Sequence, residues 1–299
     1  MTIALGQPKG NTSMLSSSTL ALAETLSEKL SNPFLDKVLA GSLGVAWDSA
    51  NPIRANLFAA GIRELVTYVL HDLAPDEQVK ACDWYLLAQE YAAKNNVETK
   101  GKITRIDRMI YATQGGLSDG SLEELGVNVE VDHKKLRSVM DELSKYTHVR
   151  PGSLLEGDEA VSEFMRNTFH AVIRFLDAVT EVRDTIAEAV SQTINEVADQ
   201  ALTESVVQEL DELSTHTLVD EVVAHDIRVV TIGPKEIEFR VNGTVYVQLN
   251  YGSGSDFRRG EGVSLSDKYP FSVRMAASVA DMRPYTLERA SVDNSSFYE

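Results

Sequence analysis

The sequence predicts an α+β fold, with a mainly helical N-terminal region followed by a small antiparallel β domain. Three observations carry that prediction. Apolar residues return at helical spacing up to about residue 222. From Asp226 the period shortens to two, the repeat of a strand with one buried face. Between two of these alternating runs stands Asn242-Gly243, a pair suited to a two-residue hairpin turn.

Residues 1–18 are rich in Ser, Thr and Gly and hold no signal-type apolar run, so they read as a mobile tail. Asn32-Pro33 and Asn51-Pro52 each predict a helix start, with asparagine as cap and proline at the first helical position. The second opens the clearest helix, in which Leu57, Phe58, Ile62, Leu65, Val66 and Val69 recur until Ala74-Pro75 stops it. Another helix runs from Trp84 to Ala93. From Ile103 to Arg150 short helices are divided by Gly115-Gly116 and Gly126, and the last, Lys134 to Tyr146, shows Leu136, Val139, Met140 and Leu143 on one side. Pro151-Gly152 closes an expected helical domain of residues 19–150.

Acidic helices are expected over residues 151–222. Within them an amphipathic segment from about Asp158 to Asp199 passes more than 25 residues without Pro or Gly. It reads as a packed bundle helix or, alternatively, as a coiled-coil contact that would make the protein a homo-oligomer through residues 158–199. The β domain is expected over residues 223–280. Ile227, Val229 and Thr231 alternate first, then Ile237, Phe239 and Val241, then Val245, Val247 and Leu249 after the Asn-Gly turn. A polar loop, Gly252 to Gly262, leads to a further strand from Phe271 to Ala276, and residues 281–299 read as a loosely ordered tail.

Composition narrows the function classes. An apolar fraction of 43% and a charged fraction of 24% in 299 residues describe a globular chain able to bury its own core. The single cysteine, Cys82, excludes a disulfide framework and a Cys-based zinc site, and it fits a reducing cytoplasm. No stretch of 18 uncharged apolar residues is present, so no membrane span is expected. The net charge of −17 is uneven: residues 1–150 carry 16 Lys/Arg against 19 Asp/Glu, and residues 151–299 carry 12 against 26. Such an acidic second half repels phosphate. Nucleic acid is therefore expected at the nearly neutral first half or through a metal ion, and plain solubility is the rival reading of the charge.

Familiar phosphate and nucleophile motifs are absent: no GxxxxGK[ST], no helix-opening GxGxxG, no GxSxG and no HExxH. Gly252-Ser-Gly-Ser255 lies between strands and reads as a hairpin connection with no helix behind it. Glu98-Thr-Lys100 and Asp132-His-Lys134 have the acid-x-Lys spacing of nucleases in which carboxylates hold Mg²⁺ and lysine steadies water. Neither falls on a strand. Arg63, Thr67 and His71 share a stripe at i, i+4 and i+8 beside Glu64, which either lines a cleft or forms a solvated helix face. His148 ends a helix, where an imidazolium favours the dipole, but its nearest upstream arginine, Arg137, is too distant for an HEPN-type RNase pair. Lys100, Lys102, Arg105 and Arg108 form the most basic stretch and precede three short helices. That is the outline of a helix-turn-helix module over 103–150, with Lys134, Lys135 and Arg137 starting its third helix.

Several stretches resemble a bacterial family of predicted pPIWI-associating nucleases, found in prokaryotic defence gene neighbourhoods. They include Asn51-Pro-Ile-Arg-Ala-Asn56, Arg63-Glu64, His71-Asp-Leu-Ala-Pro-Asp76, Val79-Lys-Ala-Cys-Asp-Trp-Tyr85, Gln114-Gly-Gly-Leu-Ser-Asp119 and Leu143-Ser-Lys-Tyr-Thr-His-Val-Arg-Pro151, with Leu249 to Asp256, Arg258 to Gly262 and Tyr269 to Ser272 further on. The resemblance covers roughly residues 48–275. It implies a cytoplasmic part in defence against phage or plasmids, acting on nucleic acid as a nuclease with Mg²⁺ as the expected metal. The alternative it leaves open is a non-enzymatic sensor or adaptor that binds a defence-system protein through the β domain or the long helices. Its motifs carry Arg54, Arg63, Glu64, His71, Asp83, Tyr85, His148 and Arg150. Of these, His148, Glu64 and His71 are the expected catalytic groups. Arg54, Arg63 and Arg150, with Lys100, Lys102, Arg105 and Arg108, are the expected nucleic-acid or ligand contacts. No set of metal ligands is assigned.

Overall fold

The computed structural model describes residues 17–95, 102–204, 208–282 and 284–298, and it has the predicted order: helices, then a four-stranded antiparallel sheet. Most of the expected N-terminal tail, together with Glu98-Thr-Lys100, lies outside the described residues. The helices are α1 (Ser17–Leu30), α2 (Pro33–Ala46), α3 (Arg54–Leu73), α4 (Asp76–Lys80), α5 (Asp83–Lys94) and α6 (Arg105–Gln114). Then come α7 (Asp119–Glu124), α8 (Glu130–Thr147), α9 (Asp158–Ala189), α10 (Ser191–Glu204) and α11 (Gln208–Asp211). Among the described residues, no helix is long and apolar enough to cross a membrane.

Two compact units share the chain in an interleaved way. One takes Met1–Lys80, Gln89–Thr113 and Asn128–Thr180; the other takes Ala81–Ala88, Gln114–Val127 and Glu181–Glu299. The helices expected as one helix-turn-helix module are thereby divided, α6 (but for its last residue) and α8 in the first unit and α7 in the second.

In the first unit Asn32 caps α2 as its sequence predicts, accepting the N–H of Phe34 at 2.9 Å. Asn51 differs. Its side chain accepts the N–H of Ile53 at 3.1 Å, its carbonyl accepts that of Arg54, and this closed turn delays the start of α3 to Arg54. Helix α3 packs against α2 and α8, and Phe58 at its centre meets Phe164 and Phe169 edge-on at 5.7 Å. The apolar stripe of α9 supplies Val161, Phe164, Met165, Phe169 and Val172 to this same core. The predicted amphipathic segment is thus two helices with an irregularity at Val190, and much of its apolar face is buried within its own chain.

The second unit is built on the sheet, β1 (His216–Ile232), β2 (Glu236–Tyr251), β3 (Val263–Ser278) and β4 (Pro284–Val292), in that order and antiparallel throughout. Helix α10 packs against β1 and β4. Along β2, Ile237, Phe239, Val241, Val245, Val247 and Leu249 are buried, while Glu236, Glu238 and Arg240 are exposed between them.

Three expectations are corrected here. Asn242-Gly243 makes no turn: it lies inside β2, with Asn242 opposite Asp226 and Ser272, and Gly243 opposite Ala224 and Phe271. The turn is Gly233-Pro234-Lys235, where the N–H of Gly233 reaches the carbonyl of Glu236 at 2.8 Å. Glycine is needed at 243 because a Cβ there would stand 2.1 Å from the Val223 carbonyl oxygen and 2.6 Å from the Phe271 ring. The polar loop after β2 contains a short helix, α12 (Gly254–Arg259), which Ser253 and Asp256 open as a capping box and left-handed Gly260 ends. Finally, β4 occupies residues expected as a loose tail; it pairs with β3 from Phe271 to Ala277.

Candidate functional site

Helix α3 buries Phe58, Ile62, Leu65 and Val66 on one side, so the remaining turns raise Arg63, Glu64, Thr67 and His71 along another. The guanidinium of Arg63 donates to Glu64 Oε1 at 2.7 Å, and Thr67 Oγ1 donates to the Arg63 carbonyl at 2.7 Å. Facing this stripe is the start of α6. The N–H of Thr104 donates to Asp107 Oδ2 at 2.7 Å, the N–H of Asp107 returns to Thr104 Oγ1 at 3.2 Å, and this reciprocal cap pins the entry of the helix.

Arg108, one turn in, is buried. It donates to the carbonyl of Ala74, which ends α3, and to Asp76 Oδ1, which begins α4, both at 2.5 Å. A single guanidinium therefore ties α6 to the α3–α4 corner. The result is a cleft of about 440 Å³ lined by Arg63, Glu64, Thr67, Leu70, His71, Ile103, Arg105 and Arg108.

Charge in the cleft is only partly compensated. Arg63 is paired with Glu64 and Arg108 with Asp76. The hydrogen bond from Arg108 holds the Asp76 carboxyl below the usual carboxylate range, and the charges of Arg108, Lys80 and His71 add to that effect. Exposed Arg105 has no ion-pair partner among the described residues, so it carries the open positive charge of the lining. Guanidinium, imidazole and hydroxyl groups thus converge where an anion could enter.

The other expected site residues lie elsewhere. Arg54 is buried in an ion pair with Asp158 that joins the starts of α3 and α9. His148 is the exposed cap residue after α8, with its carbonyl accepting Ser153 Oγ at 2.6 Å, and Arg150 is exposed beside it. Lys102 is exposed and outside the lining, and Lys100 lies outside the described residues. In the second unit Asp83 is ion-paired with Lys235, and Tyr85 is buried. Within the Asp132-His-Lys134 triplet, Arg174 approaches Asp132 at 3.4 Å, His133 meets Thr113 Oγ1 at 3.0 Å, and Lys134 pairs with Glu130. Among the described residues no three His, Cys, Asp or Glu side chains are grouped as metal ligands. Asp76 was visible in the His71-to-Asp76 stretch, yet only the fold shows that it holds Arg108.

Two family models, both described as predicted pPIWI-associating nuclease, match residues 27–172 and 179–298. Their seam falls close to Thr180, where the last segment of the first unit ends. Neither the curated proteins nor the solved structures gave a match.

Proposed function

The chain belongs to the predicted pPIWI-associating nucleases, and on that premise we propose that it cuts nucleic acid at the α3–α6 cleft, in cytoplasmic defence against phage or plasmids. The convergence of Arg63, His71, Arg105 and Arg108 on one cleft supports the reading most directly. Arg105 takes a phosphodiester oxygen, its planar fork matching the phosphate and stabilising charge that grows on it in the transition state. His71 carries the proton, from attacking water or to the leaving oxygen. Arg63 turns to the phosphate and releases Glu64, which then orients the water. No step runs through a metal ion: among the described residues Glu64 is the one carboxylate in the lining, and Arg63 holds it.

The test is incubation with single- and double-stranded DNA and RNA, with chelator and with added Mg²⁺ or Mn²⁺. His71→Ala is expected to slow cleavage about 100-fold or more, and Arg105→Ala to slow it comparably. Cleavage undiminished by both changes removes the cleft as the site. Binding without cleavage under every condition leaves the sensor or adaptor reading.

A further inference from the structure

The open face of the sheet carries a charge pattern that the cleft does not use. Arg228 stands opposite Arg240 across β1 and β2, Arg240 opposite Arg274 across β2 and β3, and Arg274 opposite Arg289 across β3 and β4. One arginine from every strand thus occupies the same level. Phe239, Val241, Val273 and Met275, which flank the middle two, are buried on the other face, so Arg240 and Arg274 point away from the core and are exposed. Arg228 is held by Asp226 at 2.9 Å. Arg240 and Arg274 have no ion-pair partner among the described residues.

Like charges directly opposite one another weaken a sheet. Strands lie about 4.8 Å apart, so Arg228, Arg240 and Arg274 span roughly 10 Å. It sits in the half of the chain with only 12 Lys/Arg against 26 Asp/Glu, where basic residues are the minority. Of the two adjoining levels on this face, one is Asp226, Asn242, Ser272 and Ser291, polar with short side chains, and the other places exposed Glu238 between Thr231 and Ala276. Three levels along β2 from Arg240, exposed Tyr246 stands between Lys268 of β3 and Glu221 of β1.

We propose that this face binds the backbone of single-stranded nucleic acid, with Arg240 and Arg274 on its phosphates and Tyr246 stacking a base. Arginine forks match phosphate oxygens in pairs, and a polyanion relieves the repulsion along the row. An open sheet displaying cations with an aromatic ring suits an unpaired strand, whose bases are free to stack, better than a duplex. An acidic peptide satisfies the arginines but leaves the ring without a base. The site is distinct from the cleft and stands whether or not the cleft cleaves.

The experiment is fluorescence anisotropy of full-length protein with labelled poly(dT) and poly(U), in the parent and again in the Arg105→Ala background. Arg240→Ala/Arg274→Ala is expected to weaken binding about 10- to 100-fold in both backgrounds, and to make the slope of log K against log salt shallower by about 1.4, at about 0.7 per phosphate contact. Tyr246→Ala costs about tenfold. Without oligonucleotide the double variant should melt no lower than the parent, because like-charge repulsion has been removed. Affinity and salt slope unchanged in the double variant overturn the proposal. So does displacement by poly-glutamate as effective as by unlabelled poly(dT), or tighter binding of a duplex of the same length.

Discussion

Single side chains hold the first unit's helix ends in place, and Asn56 is the clearest case. Only 2% exposed, it donates to the carbonyls of Tyr146 at 2.7 Å and Ser153 at 2.9 Å. Asn56→Ala orphans both carbonyls and should cost about 2 kcal/mol in urea unfolding. Asn56→Asp should cost more, since it turns a carboxylate oxygen towards two carbonyl oxygens. Cys82 is buried, and burial pushes its thiol up to about 12 against the opposing charge of Lys235. Ellman's reagent at pH 8 should leave it unmodified until the protein unfolds; reaction at the rate of a free thiol would contradict that burial. The Asp76 carboxyl titrates below its ordinary value of 3.8 in the folded state. The unfolded chain therefore binds more protons in that window, and the stability from the Arg108 pair is complete above about pH 5 and drains as pH falls through the folded value. Asp76→Asn should flatten that part of the acid-unfolding curve. The Arg63–Thr67–His71 stripe was legible because one helix sets its spacing. The Arg108–Asp76 pair was not, because its partners are 32 residues apart.

At the level of elements, Asn242-Gly243 shows how a local motif loses to its surroundings. Two-residue turns need left-handed backbone, which Asn-Gly permits but does not require. Here β1 and β3 flank the pair, and Phe271 fills the space that a side chain at 243 would take. Gly243→Val should therefore destabilise by more than about 2 kcal/mol, through overpacking against backbone and ring. Asn242→Thr, unfavourable in a left-handed turn, should move the melting midpoint by no more than about 2 °C in a strand. Thermal melts followed by circular dichroism separate the two positions. The α9 stripe was just as readable, since its period is local; that it meets Phe58 of α3 could only be seen in the fold.

Across the whole molecule, the order in the chain and the division into units do not coincide. Residues 81–88 and 114–127 lie inside the span of the first family model, 27–172, yet they belong to the unit built on the sheet. The N–H of Gly116 donates to the Gly233 carbonyl at 2.9 Å, Lys235 pairs with Asp83, and Gly115 lies under Ile232. A fragment ending at residue 180 strips these segments of their partners. It should bind ANS and melt without a cooperative transition, whereas the full chain melts cooperatively. A sharp, two-state melt of the fragment would refute the interleaving. Charge behaves in a similar way. Averaged over residues 151–299 it is strongly acidic, but strand alternation sorts Arg228, Arg240 and Arg274 onto one level of one face.

Unaided, the sequence determined the class and order of the elements, because periods of 3.6 and two are set by residues within a few positions of one another. It also determined the polar stripe of α3 and the family, whose motifs are contiguous. The tertiary structure alone decided where β1 turns into β2, that residues after 283 form a fourth strand, and which cations face Arg63 and His71. Each of those depends on backbone and side chains brought together from distant positions, and strand register, unlike strand period, is written in no single segment.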